Sequence, residues 1–312
     1  MKKWILLLLV LLTGAFAAVY LFIPGKMIIR TSVRIAANKD GLYRKLSNPA
    51  SWTQWWPGDK TPDASGAYIL GNTRFRPDAP RTLSLPFSIS DGNLGTGAEL
   101  TLLAIGTDSS TLHLEASVPG SSNPFQRINA WYRAKKIKEK LRVILESISH
   151  TYSAVAGVYD YDIQKKSVTD SNLVFIATEI KTVPDPVYIY SLVARLKNYL
   201  QEQQAVETGF PMLNVFTPDS VHYLVKLALP VNRRLPDSGD IHYRWMLGGG
   251  NILVTEVKGG PGEIRKAYGQ ILNYVNDHKR IAPAIPFESL VTDRLQEKDS
   301  SKWITRIYYP VM

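Results

Sequence analysis

An internal repeat constrains this chain more than any other feature. The segment FIATEIK, beginning at Phe175, returns as ILVTEVK at Ile252, an offset of 77 residues (252 − 175). Pro184 and Pro261 keep that offset. Asn198-Tyr199 and Asn273-Tyr274 stand 75 apart, and Pro230-Val231 and Pro310-Val311 stand 80 apart. Drift of a few residues is what insertions in surface loops produce, because lengthening a loop adds little closure entropy. One block could match by chance, but four in the same order define a duplication, Phe175 to Val231 being a worn copy of Ile252 to Val311.

Each copy has the same grammar: a strand, a Pro-containing turn, a helix, then two strands separated by a polar turn. Pro184-Asp185-Pro186 and Gly259-Gly260-Pro261-Gly262 both precede a helical pattern, where start signals belong. In the second helix Ile264, Ala267, Tyr268, Ile271, Leu272 and Val275 recur at helical spacing and form one apolar stripe. The opening strands are apolar nearly throughout, which predicts that both of their faces are covered. On one face lie Ile176, Thr178 and Ile180, with Leu253, Thr255 and Val257 in the copy. On the other, Glu179 and Glu256 end otherwise apolar rows at matching places, which suggests a lined groove between the halves.

The duplicated unit, the Gly-Pro turn before its second helix, Pro286-Phe287-Glu288, Trp303 and the closing Tyr308-Tyr309-Pro310-Val311 resemble the GyrI-like (AraC effector-binding) domain. The resemblance covers roughly Val158 to Met312. It implies a pseudo-twofold small-molecule-binding fold, with the ligand in a groove across the sheet lined by aromatics and a glutamate. The family's usual tyrosine after the Gly-Pro turn is absent, Gly262-Glu263 standing there instead.

A length of 312 residues leaves room for a second domain and a short appendage. The formal charge of +10 points to anionic partners without naming them. The chain has no cysteine, hence neither a disulfide framework nor a thiolate metal site. Trp4 to Ile23 carries no charge and is flanked by Lys2-Lys3 and Pro24-Gly25-Lys26. About twenty apolar residues span a bilayer core, so residues 1–26 are expected to be a membrane anchor. The competing reading is a cleaved signal peptide with Ala15-Phe16-Ala17 at the cleavage site. Against it, the apolar run continues past that site to Ile23. Lys2 and Lys3 favour an N-terminus inside and extracytoplasmic (periplasmic) domains, whereas Lys26, Arg30 and Arg34 favour domains facing the cytoplasm.

From Ile28 to Ile35 the chain alternates, Ile29, Thr31, Val33 and Ile35 against Arg30, Ser32 and Arg34, as a half-buried strand does. Asn38 is placed to cap a short helix that ends at Asn48-Pro49. After Trp52, Trp55, Trp56 and Pro57 come strand patterns: Leu83, Leu85, Phe87 and Ile89, then Leu112, Leu114, Ala116 and Val118. A long helix follows from about Asn123, with Ile128, Trp131, Leu141, Ile144, Ile148 and Tyr152 on one stripe. This order, and the strand–helix–WxxWxP opening above all, resembles the helix-grip fold of the START/polyketide-cyclase (SRPBCC) superfamily over about Met27 to Ser153. The resemblance implies a curved sheet gripping the long helix around an apolar cavity, and implies no catalytic set.

The five histidines have no metal-ligand spacing, and neither a nucleophile elbow nor a phosphate loop is present. No metal, cofactor or nucleic-acid partner is expected. Trp52, Trp55 and Trp56 either line a ligand cavity or close the end of a small sheet domain. The basic run Arg127 to Arg142 either contacts anionic lipid or is a solvated helix face. Glu288 lies in an apolar strand, where a carboxylate needs a partner. It either pairs with an arginine such as Arg244 or Arg306 or faces the groove. The family resemblance favours the groove, with Tyr268, Trp303 and Tyr309 as aromatic walls and Glu256 as a second acidic lining.

The expected fold class is α+β: an N-terminal transmembrane helix (1–26), a helix-grip domain (27–157) and a duplicated βαββ domain with pseudo-twofold symmetry (158–312). The expected function is binding of a small hydrophobic or cationic aromatic ligand, without catalysis, by a single-pass membrane protein. The alternative is a hydrolase acting on an electrophilic aromatic molecule, with Glu288 as general base. A third reading is a structural role at the membrane.

Overall fold

Residues 2–82, 84–92, 94–169, 171–219 and 221–312 are described by the structure, a computed structural model. Leu83, expected on a strand, lies outside them. Contacts divide the chain into two units, Met1–Val158 and Tyr159–Met312, each built on one antiparallel sheet, so the class is α+β.

In the first unit α1 (Lys2–Phe22) precedes β1 (Lys26–Ile35), α2 (Lys39–Leu46), a 3-10 turn and α3 (Trp52–Trp55). Then come β2 (Tyr68–Leu70), β3 (Thr73–Pro77), β4 (Ser84–Asp91), β5 (Leu94–Ala104), β6 (Ser110–Pro119) and α4 (Pro124–Tyr152). Asn38 caps α2 as its position suggests, its side-chain oxygen accepting from the amides of Asp40 (2.8 Å) and Gly41 (3.4 Å). The sheet runs β1-β6-β5-β4-β3-β2, with α4 packed on β1 and β6. Leu112, Leu114, Ala116 and Val118 alternate inward from β6 onto the α4 stripe Ile137, Leu141, Ile144 and Ile148. Ile128 and Trp131 are only half-buried, because the stripe turns inward from Ala134 onward.

Tryptophans fill the space between this sheet and its helix. Trp52 and Trp56 stack at 5.9 Å, and Trp55 lies 4.9 Å from Trp52. Two of the indoles donate to backbone carbonyls, Trp52 to Leu46 and Trp56 to Ile69, both at 2.9 Å. The cavity left among Trp52, Trp55, Leu85, Phe87, Leu114 and Ile148 measures about 10 Å³. That is room for one water molecule.

The membrane anchor expected at residues 1–26 is overturned. Among the described residues no helix is long and apolar enough to cross a membrane. The expected single-pass topology and extracytoplasmic placement fall with it. The last turn of α1 is engaged with protein: Tyr20 Oη donates to the Ser122 carbonyl (2.5 Å), and Arg127 Nε donates to the Ile23 carbonyl (2.7 Å). The Arg127 guanidinium also stands 4.9 Å from the Tyr20 ring, and Phe16 meets Phe125 edge-on at 6.0 Å. The uncharged run from Trp4 to Val19 before this docked turn reaches only about 24 Å at 1.5 Å per residue. A hydrocarbon core is about 30 Å thick.

The second unit follows α5 (Val155–Tyr159) with β7 (Gln164–Ser167), β8 (Ser171–Ile180), α6 (Pro186–Glu202), β9 (Met212–Phe216), β10 (Tyr223–Val231) and β11 (Ile241–Met246). It closes with β12 (Asn251–Lys258), α7 (Pro261–Asp277), β13 (Phe287–Leu290) and β14 (Ile304–Val311). Each copy is therefore strand, helix, strand, strand. The sheet order β11-β8-β10-β9-β13-β14-β12-β7 reads the same from both ends over its six central strands. That is the mark of a pseudo-twofold axis between β9 and β13. The helix α6 packs on β8 and β10, and α7 packs on β12 and β14. Covering of the second strand face is partial: helices lie on one face only, and on the other Leu173, Ile252 and Val254 are buried while Ala177, Glu179 and Glu256 are exposed. An apolar run cannot distinguish a strand buried on two sides from one buried on one side and half-covered on the other.

Candidate functional site

The pairing of β9 with β13 locates the axis. Glu288 stands opposite Leu213, and Ser289 opposite Met212. Strands that cross a twofold axis antiparallel bring equivalent residues face to face at the axis. Leu213 and Glu288 are 75 apart, an offset already present in the repeat, so they are equivalents. Glu288 also pairs in register with Ile307, which is fully buried on the helix side of β14. The carboxylate thus sits at the centre of the sheet, on the helix-bearing face, with α6 over the strands to one side and α7 over those to the other.

The Glu288 side chain is 20% exposed, and the Arg294 side chain beside it only 7%. Arg294 Nη2 lies 3.5 Å from Glu288 Oε2 and donates to Thr305 Oγ1 at 2.9 Å. Its guanidinium carbon is 4.9 Å from the centre of the Trp303 ring. Burial pushes the Glu288 carboxyl above its ordinary value, and Arg294 offsets only part of that rise. Tyr268, on α7, is pushed far above the usual phenol range, first by burial and then by the charges of Glu288 and Tyr309. Its hydroxyl stays protonated at any physiological pH.

The loop between β13 and β14 that carries Arg294 is pinned to the first copy. Tyr190 Oη on α6 donates to the Thr292 carbonyl and accepts from the Arg294 amide, both at 3.0 Å. Trp303 is held by its indole, which donates to the Glu297 carbonyl at 2.8 Å. Its own carbonyl accepts from the Gly259 amide at 2.8 Å. Gly259 has φ of +140°, and a Cβ there would meet Glu263 Cγ at 2.8 Å, so glycine is required at this turn.

Of the residues singled out in the sequence, Glu288, Tyr268, Trp303 and Tyr309 come to one face of the sheet. Glu256 does not join them. It is exposed on the opposite face and accepts from Arg306 Nε at 3.0 Å. Arg306 is thereby removed as a partner for Glu288, and Arg244, in register with Leu173, belongs to that opposite face too. The partner is Arg294, in a polar loop whose sequence carries no periodic signal. Also on the opposite face, Phe287 and Tyr308 stack at 4.9 Å in an open groove with Val254 and Met212.

The basic run on α4 is largely occupied locally. Besides Arg127, Lys135 sits 4.0 Å over the Trp131 ring, Lys140 donates to Thr73, and Arg142 meets Glu139 (3.2 Å) and Glu146 (2.7 Å). Among the described residues no group of three histidine, aspartate or glutamate side chains could hold a metal.

No family model matches the chain, and no curated protein matches it in sequence. Among solved structures it is similar to EcmrR. In its complex with DNA, EcmrR aligns with a TM-score of 0.44 at 17% identity over 60% of this chain and 69% of that one. The EcmrR C-terminal domain alone gives 0.40 and 17%, over 49% of this chain and 98% of that one. A hydrolase from Listeria innocua gives 0.37 and 11%, over 48% and 91%. SAV2435 bound to tetraphenylphosphonium gives 0.32 and 15%, over 48% and 93%. At such scores and identities these likenesses carry no function to this chain.

Proposed function

We propose that the second unit, from about Val158 to Met312, binds a small aromatic molecule, without chemistry, on the helix-bearing face of its sheet around Glu288. The observation that carries this reading is Glu288, a carboxylate held at the pseudo-twofold axis where the first copy has Leu213. A charged group in such a place costs stability even when paired, and leucine fills the equivalent place in the first copy. Tyr268, Trp303 and Tyr309 on the same face supply flat apolar area and polar edges, the usual composition of a small-molecule site. We read the first unit, whose interior is filled by Trp52, Trp55 and Trp56, as a scaffold.

A hydrolase with Glu288 as base has one observation in its favour, the raised pKa of the carboxyl. The neighbouring arginine counts against it, because an ion-paired carboxylate is a weaker base.

Thermal unfolding of the full chain against a panel of planar aromatic compounds tests the binding reading. A ligand at a hundred times its dissociation constant adds about 2.7 kcal/mol and raises the melting temperature visibly. The rise should vanish in Tyr268→Ala and persist in Glu256→Gln. A panel without any stabilising member, or a rise that survives Tyr268→Ala, refutes the site. Release of product from an activated aryl ester by wild type and not by Glu288→Gln would establish the hydrolase instead.

A further inference from the structure

We infer that Arg294 sets the charge of the ligand: it occupies the place a ligand's cation would take, so the site prefers uncharged aromatic molecules that carry a hydrogen-bond acceptor. This rests on the reading of the helix-bearing face around Glu288 as a ligand site. A cationic aromatic molecule is recognised by two things together, a carboxylate for its charge and an aromatic face for its quadrupole attraction. Both are present here, and both are already taken. The Arg294 guanidinium lies 3.5 Å from Glu288 Oε2 and 4.9 Å from the Trp303 ring. It is fastened from two further sides, by its bond to Thr305 Oγ1 and by the bond from its backbone amide to Tyr190 Oη. A second cation would have to break these buried contacts or stand beside a like charge.

The same arginine offers something to a neutral ligand. Its Nε is buried and has no hydrogen-bond partner among the described residues. A buried donor left unmet is costly, and an acceptor on an incoming molecule would relieve that cost. The Tyr268 hydroxyl, which keeps its proton, provides a second donor at the same site. Charge, unmet donors and aromatic surface together describe a flat heteroaromatic or aryl ketone, not an ammonium or phosphonium ion.

Acridine and N-methylacridinium form a matched pair of probes, nearly equal in shape, one with a ring-nitrogen acceptor and one with a fixed charge. They are titrated into the full-length protein at mildly alkaline pH, where acridine is neutral. Wild type should bind acridine at least about tenfold more tightly, the size of one hydrogen bond to a charged group. In Arg294→Gln the carboxylate is released, and N-methylacridinium should gain about ten- to a hundredfold while acridine loses affinity. Should that variant not fold, the double variant Glu288→Gln/Arg294→Gln removes the pair whole. Its preference for acridine should shrink toward parity. Tighter binding of the cation by wild type would overturn the inference and leave the ligand site standing. So would an Arg294→Gln protein that folds and keeps the wild-type preference. If neither probe, nor any member of the aromatic panel, binds any of the proteins, the site itself is refuted and the inference goes with it.

Discussion

The two copies of the repeat fold alike and bury different chemistry. In the first, the layer under α6 is apolar: Val174, Ile176, Leu213, Val225, Leu227 and Leu229 pack against Ile189, Leu192, Val193 and Leu196. In the second, the buried polar residues are Thr255, Asp277, His278, Ser289, Arg294 and Thr305, and among the described residues of this unit no others are buried. The repeat offsets allow a residue-by-residue comparison. Leu213 corresponds to Glu288 at 75, Val225 to Thr305 at 80, and Tyr223 to Trp303 at 80. The first copy shows that the fold is satisfied by leucine and valine at these positions. Of the polar set in the second, Asp277 and His278 are tied to the fold, Asp277 by Tyr159 (2.9 Å) and His278 by the Tyr274 carbonyl (2.8 Å), whereas Glu288, Arg294 and Thr305 bond one another on the helix-bearing face.

The strongest way to break the comparison is to remove the arginine. Arg294→Ala leaves Glu288 buried without a partner and should cost about 3–5 kcal/mol, read from the midpoint of urea unfolding. Converting the second copy toward the first by Glu288→Leu with Arg294→Met should recover that loss, ending level with wild type or up to about 4 kcal/mol above it. A double variant as unstable as the single one would mean that the pair holds the fold together. Thr305→Val copies Val225 and deletes the acceptor of Arg294 Nη2. About 1.5–3 kcal/mol should be lost by the same measurement, with little change in size or shape.

The pH dependence sharpens the contrast at a single group. Because the folded Glu288 holds its proton to higher pH than the unfolded chain does, the unfolded state binds fewer protons in that window. Stability should therefore fall as pH rises from about 4.5, the ordinary value, through the raised one. This component of the slope should be absent in Glu288→Gln. A slope of the opposite sign would show that Arg294 outweighs burial. The smallest effect is expected at Glu256→Gln. The Glu256 and Arg306 side chains are 54% and 40% exposed, and solvent screening leaves such a pair about 0–1 kcal/mol at most.

The duplication, the strand–helix–strand–strand grammar of each copy, the cap at Asn38 and the α4 stripe from Leu141 to Tyr152 were legible in the chain, though not its first turns at Ile128 and Trp131. Each depends on neighbours a few residues apart, and the backbone's own periods of 2 and 3.6 write them into sequence. That Glu288 is exceptional was legible too, since a carboxylate in an apolar strand must answer for its burial. Its partner was not. Arg294 reaches Glu288 through a loop, where no period relates position to direction, and Arg244 and Arg306 were equally plausible by composition. Which face Glu256 takes, and whether the N-terminal apolar helix ends in lipid or against α4, depended likewise on contacts between distant segments. Sequence alone determined the elements of this protein and the repeat that arranges them. Tertiary structure alone decided which charges meet, because pairing, burial and the resulting pKa are set by distances across the fold and not by spacing along the chain.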